Sequence, residues 1–190
     1  KLGSDLQGHP CRFHPIGMEM SGGSLGQNLS IATGVALGLK TQGKPNKVWA
    51  LSSEGDLQEG QSWEAIMSAA HFGLDNLTLL VDYNKLQIDG HCEDIMGVHP
   101  LDEKFKAFNW HTLVVEDGHD FEQIRAALDE AATLKGRPKV IIAHTIKGKG
   151  ISYMENVAGW HGKAPDHEHL GLAITELDAL ENSLTPAQND

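Results

Sequence analysis

Four short apolar runs, at 47–52, 77–81, 110–116 and 139–144, alternate with stretches whose apolar residues recur at helical spacing, and the connections between them are short. That alternation leaves few topologies. Strands joined through helices run parallel, and the crossover helices must cover the faces of the sheet. The prediction is an α/β fold, a doubly wound parallel sheet with helices on both faces. The run Leu77-Thr78-Leu79-Leu80-Val81 has no polar alternation except Thr78, as in strands buried on both sides. Before the first strand, a glycine-rich loop from Gly22 to Gln27 feeds a helix over 28–40, with Leu29, Ala32, Ala36 and Leu39 on one side. A second helix, from Gly60 to about Phe72, places Trp63, Ile66, Met67 and Ala70 together, and these are read as core. Asp120 with Gln123 three positions on marks the start of a helix reaching about Leu134. A last helix is predicted over 168–181, giving one domain over 1–181 and a polar tail over 182–190. The opening stretch 1–10 is loop-like, so the elements expected ahead of it are read as missing.

Composition narrows the classes of function. At 190 residues the chain can build one core but not two full-sized domains. A formal charge of −11 without a dense Lys/Arg cluster argues against a nucleic-acid partner. No apolar stretch approaches the roughly 20 residues of a membrane-spanning helix, and a cytoplasmic protein without membrane contact is expected. Cys11 and Cys92, the only two cysteines, have neither metal-ligand spacing nor a disulfide framework, and suit a reducing compartment.

Two runs at strand ends carry most of the chemistry: Ser53-Glu54-Gly55-Asp56-Leu57-Gln58-Glu59-Gly60 and Asp82-Tyr83-Asn84-Lys85-Leu86-Gln87-Ile88-Asp89-Gly90. If their strands are parallel neighbours, both loops emerge at the sheet edge where open α/β folds bind ligands. Glu54, Asp56 and Glu59 offer carboxylates, Asn84 an amide oxygen and Leu86 a carbonyl, all suited to a hard cation bridging phosphate oxygens. Single acidic loop residues are more often only solvated, and a lone Asn more often a turn residue; the joint pattern makes the case for a site. His9 and His161, each beside Gly or Pro in a loop, are the histidines chosen for proton transfer or hydrogen bonding, against the alternative of exposed bystanders. Lys147, flanking Gly148 with Lys149, either holds a phosphate or is a solvated basic loop.

Together these runs resemble the thiamine-diphosphate-binding part of the transketolase family, above all the N-terminal subunit of split transketolases made from two chains. The resemblance extends from about Leu2 to about Leu180. It rests on ordered motifs: Gly8-His9-Pro10, Gly23-Ser24-Leu25-Gly26-Gln27, the acidic loop, Leu86-Gln87-Ile88-Asp89-Gly90, Gly118-His119-Asp120, Thr145-Ile146-Lys147-Gly148 and His161-Gly162-Lys163-Ala164-Pro165. The family's acidic loop reads Gly-Asp-Gly, with its metal-binding asparagine about thirty residues on. Glu54 lies thirty residues before Asn84 and Asp56 twenty-eight, and Leu57-Gln58-Glu59-Gly60 aligns without a gap only in the first register. The resemblance therefore implies Glu54, Asn84 and the Leu86 carbonyl as metal ligands, with Gly55-Asp56 out of register.

It further implies Gly55 beside the diphosphate, Asp82 and Ile88 toward the thiazolium, and Gly23, Ser24 and Leu25 at the cofactor, with Leu25 against the aminopyrimidine. His9 and His161 would meet substrate and diphosphate, Lys147 would serve the phosphate, and Glu59 would link two active sites across a dimer interface. Ser24 stands where the family commonly has proline and Asn28 where it has glycine. The expected cofactors are thiamine diphosphate and Mg2+, or Ca2+ given the longer Glu54 arm. The glutamate that activates the cofactor belongs, in the family, to a pyrimidine-binding domain that nothing in this sequence resembles. A C-terminal transketolase subunit carrying that domain is thus the expected partner, two copies of each chain forming the assembly, and a sugar phosphate the substrate. The alternatives are another thiamine enzyme subunit, such as a deoxyxylulose-phosphate synthase or a ketol transferase on an unusual sugar, and a non-catalytic paralogue.

Overall fold

The computed structural model describes residues 4–5, 7–14 and 16–184. Helix α1 (Gln27–Thr41) leads into strand β1 (Val48–Ser53), a 3-10 turn (Asp56–Gln58), α2 (Gly60–His71) and β2 (Leu77–Tyr83). A small hairpin of β3 (Leu86–Gln87) and β4 (Gly90–His91) follows, then α3 (Cys92–Met96), α4 (Leu101–Ala107), β5 (His111–Val115), α5 (Phe121–Thr133), β6 (Lys139–His144) and α6 (His167–Leu184). Asp120 caps α5 as its spacing predicts, its carboxylate accepting the Glu122 N–H at 2.9 Å. Residues 182–184, read as tail, continue α6. The start of the resemblance at Leu2, the first residues of the 1–181 domain and the tail from 185 to 190 lie outside the described residues.

The main sheet is parallel throughout, in the order β1-β2-β6-β5. Ala50, Leu77, Leu79, Val81, Val140 and Ile142 project from one face onto Leu29 and Ala36 of α1, Ala65, Ile66 and Ala69 of α2, and Phe105 of α4. Trp110, just ahead of β5, completes this core and donates its Nε1–H to the Ile66 carbonyl at 2.9 Å, so its one polar atom is satisfied in the interior. The other face packs Val115 and Ile141 on Ala127 and Ala131 of α5. Burial of each large aliphatic side chain contributes about 1.5–3 kcal/mol, so the two-sided core confirms helices on both faces. At β1, however, Trp49 and Leu51 leave the second face exposed.

One expectation is corrected. Met67 is 56% exposed rather than core. The face that α2 turns to the sheet is Ser62, Ala65, Ile66 and Ala69, a stripe with i, i+3, i+4, i+7 spacing. Trp63 and Ala70 flank that stripe and pack against it partly buried, whereas Met67 falls beyond its edge.

Candidate metal and diphosphate site

The parallel register sets Ser53 beside Asp82 and Tyr83 beside His144, so the ends of β1, β2 and β6 open on a single edge. Glu54 follows β1 directly and is buried at 1% exposure. Its carboxylate reaches across to the loop after β2, where Oε2 accepts the Lys85 backbone N–H. Lys85 is held with φ 65°, a left-handed conformation that a lysine adopts only when its surroundings determine it. The buried Glu54 Oε1 has no hydrogen-bond partner. The Nε2 of His99 lies 3.2 Å from it, short of hydrogen-bond alignment.

Asn84 is buried beside this carboxylate, with both ends of its amide assigned. Nδ2 donates to Asp82 Oδ2 at 2.9 Å, and Oδ1 accepts the Leu86 N–H at 3.0 Å, leaving Oδ1 a second lone pair. Asp82 is held in turn by the Thr145 hydroxyl just beyond β6. Gln58 bridges the two loops from the other side, donating to Gln87 Oε1 and to the Met96 carbonyl.

Lys85 N–H holds Glu54 and Leu86 N–H holds Asn84, so the carboxylate meets the 84–86 turn that carries the other two candidate donors. Among the described residues no cluster of three or more His, Cys, Asp or Glu could hold a metal, so any ion here depends on mixed oxygen donors. The donor set fits a hard divalent cation: one carboxylate, one amide oxygen and one carbonyl. The orphaned Oε1 fits it as well, because a buried carboxylate oxygen without a donor is costly unless a cation compensates. Burial is the main cause raising the Glu54 pKa, opposed by the Lys85 N–H and by His99.

Asp56 is engaged elsewhere. Its carboxylate accepts the Gly26 N–H at 2.6 Å and the Ser52 hydroxyl, tying the loop that carries Gly23, Ser24 and Leu25 to the end of β1. Gly26, at φ 80°, allows this approach. A Cβ there would lie 2.7 Å from the Cβ of Glu59. Glu59 is exposed at the start of α2 and belongs to this loop contact rather than to the Glu54 cluster. The His9 ring packs on Gly23, where an added Cβ would come within 3.2 Å of it. His161 is near enough to Lys147 and His9 for both, after burial, to depress its pKa. Lys147 and His9 thus both act electrostatically on His161. Leu25 and Ile88 are 56% and 68% exposed, apolar side chains uncovered on the loops of this same edge. Gly55 takes an ordinary helical φ of −60°, so its small size leaves room in front of the loop rather than permitting a special turn.

The sequence did not point to His99 at this edge, and it left Tyr83 and Thr145, which stand inside the motifs, without a role of their own. His99 lies on an irregular stretch far from Glu54 in the chain, and no spacing rule links them.

The family described as "Transketolase, thiamine diphosphate binding domain" matches residues 1–177. The chain belongs to that family. It is 40% identical over 176 residues to one of the subunits of the apulose-4-phosphate transketolase of Actinobacillus succinogenes, covering 92% of this chain and 62% of that protein. It is 38% identical to the 6-deoxy-6-sulfo-D-fructose transketolase subunit SqwG of Clostridium sp. (strain MSTE9), covering 93% of this chain and 64% of that one. The chain thus spans somewhat less than two thirds of these transketolase relatives. Among solved structures, a transketolase from Pichia stipitis in complex with sedoheptulose-7-phosphate superposes with a TM-score of 0.84 at 28% identity, covering 94% of this chain and 28% of that one.

Proposed function

We propose that this chain is the metal- and diphosphate-binding part of a two-chain transketolase, which transfers a two-carbon ketol unit from a ketose (phosphate) to an aldose (phosphate). The observation that carries this reading is the docking of Glu54 on the 84–86 turn at one sheet edge, through the Lys85 N–H, with a buried carboxylate oxygen left without a donor. Glu54, Asn84 and the Leu86 carbonyl would hold Mg2+ or Ca2+. Gly55 would lie against the diphosphate, and Lys147 would offset its charge. When bound, thiamine diphosphate supplies the carbon nucleophile that takes up the ketol unit.

The protein's own groups bind, orient and exclude water. Gly23, Ser24, Leu25, Asp82 and Ile88 would line the cofactor, the two exposed apolar side chains shielding it from solvent. A depressed pKa favours the neutral His161 ring, so its imidazole can accept a proton at one nitrogen and donate a hydrogen bond from the other. His9, stacked on Gly23, would face the substrate. Glu59 would link two sites across an interface.

The names of the relatives, which describe them as subunits, support a partner chain. We assign it the pyrimidine-binding domain and two copies in a heterotetramer. Those same names describe sugars carrying a phosphate or a sulfonate, which supports an anionic-tailed ketose as substrate. No helix among the described residues is long and apolar enough to cross a membrane, and the free thiols Cys11 and Cys92 suit a reducing cytoplasm.

Calorimetry of the chain mixed with the C-terminal transketolase subunit from its own genome tests the reading. Thiamine diphosphate should bind only with Mg2+ or Ca2+ present. Absence of metal-dependent binding with both ions would leave the non-catalytic paralogue as the better account.

A further inference from the structure

We propose that His99 is a positioning residue for Glu54, fixing the longer glutamate arm in the orientation in which it can bind the metal. The inference rests on the reading of Glu54 as a metal ligand and adds a residue to it.

A glutamate carries one more rotatable bond than an aspartate in the same place, and a metal ligand with a free rotor binds less well unless something holds it. Lys85 N–H holds Oε2. On the Oε1 side, the nearest cationic or donor group given by the structure is His99 Nε2, at 3.2 Å. The ring itself is held by Tyr83, whose hydroxyl lies 2.9 Å from Nδ1 and 3.4 Å from Nε2 and whose ring stands edge-on at a centroid distance of 5.1 Å. If the hydroxyl donates to the nearer nitrogen, Nδ1, the ring hydrogen falls on Nε2, which lies 3.2 Å from Glu54 Oε1. Tyr83 is pinned in turn against His144 at the end of β6, centroids 4.7 Å apart. The chain Glu54–His99–Tyr83–His144 therefore runs from the ligand to the sheet, which a positioning role requires and a chance contact does not. Glu93 approaches the same Nε2 at 3.9 Å but is largely exposed and lies at the rim.

The test uses the protein assembled with thiamine diphosphate and its partner subunit. Mn2+ is the probe, and the loss of free-ion signal in electron paramagnetic resonance is the readout. His99→Leu should weaken Mn2+ binding about 10–100-fold, the range for losing an outer-sphere partner. His99→Gln, whose amide can donate to the same oxygen, should recover most of it. Wild-type Mn2+ affinity in a folded His99→Leu protein overturns the inference, as does equal weakening by Leu and Gln. Should His99→Leu fail to fold, the double-mutant cycle of His99→Ala, which removes the donor, with Glu54→Asp decides: coupling supports the role and additivity overturns it. Glu54→Gln separates the two readings. If it leaves Mn2+ binding unchanged, the metal-ligand reading fails and takes the inference with it. If it weakens binding while His99→Leu does not, only the inference fails.

Discussion

Gly26 and Asp56, thirty residues apart in the chain, are joined by a 2.6 Å hydrogen bond from the Gly26 amide to the Asp56 carboxylate. The bond gives the acidic loop two carboxylates with different duties. Asp56 anchors the start of α1, and Glu54 accepts the Lys85 N–H next to Asn84.

The division of labour predicts opposite outcomes for two conservative changes. Glu54→Gln should weaken metal-dependent thiamine diphosphate binding by more than the roughly 10–100-fold of an outer-sphere loss. Asp56→Asn should leave that binding within a few-fold of wild type. It replaces charge-assisted bonds with neutral ones, at about 1–2 kcal/mol, and should lower the melting temperature by a few degrees, on the order of 5 °C. Calorimetric binding together with thermal melts reads both, and the reverse ranking would place the ligand at Asp56.

Gly26 predicts a steric effect that an ordinary helical glycine lacks. Gly26→Ala combines a φ of 80° with a Cβ 2.7 Å from that of Glu59, and should destabilise by about 1–3 kcal/mol. Gly34→Ala, inside α1 where an added Cβ meets nothing within 4 Å, should stabilise by about 0.5–1 kcal/mol. Urea midpoints measure the pair, and similar shifts for both would sink the argument.

His161 should titrate below the ordinary histidine range. Burial is the largest cause, with the Lys147 and His9 charges acting in the same direction. A depressed histidine pKa favours the neutral ring in the folded state, so its contribution to stability is full above the unfolded pKa and is lost as pH falls through the folded one. Lys147→Met should raise the His161 pKa part of the way back, leaving the burial contribution in place. Carbon-detected NMR titration of the imidazole checks this, and an unchanged midpoint would separate Lys147 from the histidine group.

The two cysteines should differ in reactivity. Burial, reinforced by Glu54, pushes the Cys92 thiol up to about 11 from an ordinary 9.0, while the Phe13 backbone is the main cause lowering Cys11. At pH 8, iodoacetamide should modify Cys11 first and reach Cys92 only when the protein is unfolded in urea. The raised pKa of Cys92 favours its protonated form in the fold, so that stabilisation is full below about pH 9 and fades toward pH 11. Mass spectrometry of labelled peptides measures the order, and equal labelling in the native state would contradict the burial of Cys92.

The sheet was legible because its strands are short, continuous and separated by helical periods; the predicted 139–144 run coincides with β6. Of the site, the approach of the Glu54 loop to the turn at Asn84 and Lys85 was legible once the spacing from Glu54 to Asn84 was set against the family motif. Glu59, whose surroundings are the Gly26 contact, could not be placed from the sequence, because that contact depends on a left-handed glycine in another loop. The β3–β4 hairpin, α3 and α4 were missed, since two-residue strands and one- or two-turn helices leave too few positions to express a period. His99 was missed for a related reason: its meaning lies in meeting Tyr83 and Glu54, which only the folded chain brings together.

The strand order carries a consequence for how the protein is made. β6 lies between β2 and β5 and, of the four described strands of this sheet, is the last to be synthesised. Until residue 144 leaves the ribosome, β2 lacks one of its two neighbours and β5 its single neighbour among the described strands, and neither Thr145 nor His144 can reach the Asp82–Tyr83 corner. Closure of the sheet and assembly of this edge should therefore be one late, non-local event during translation, and a nascent chain stopped before β6 should expose open strand edges and need a chaperone.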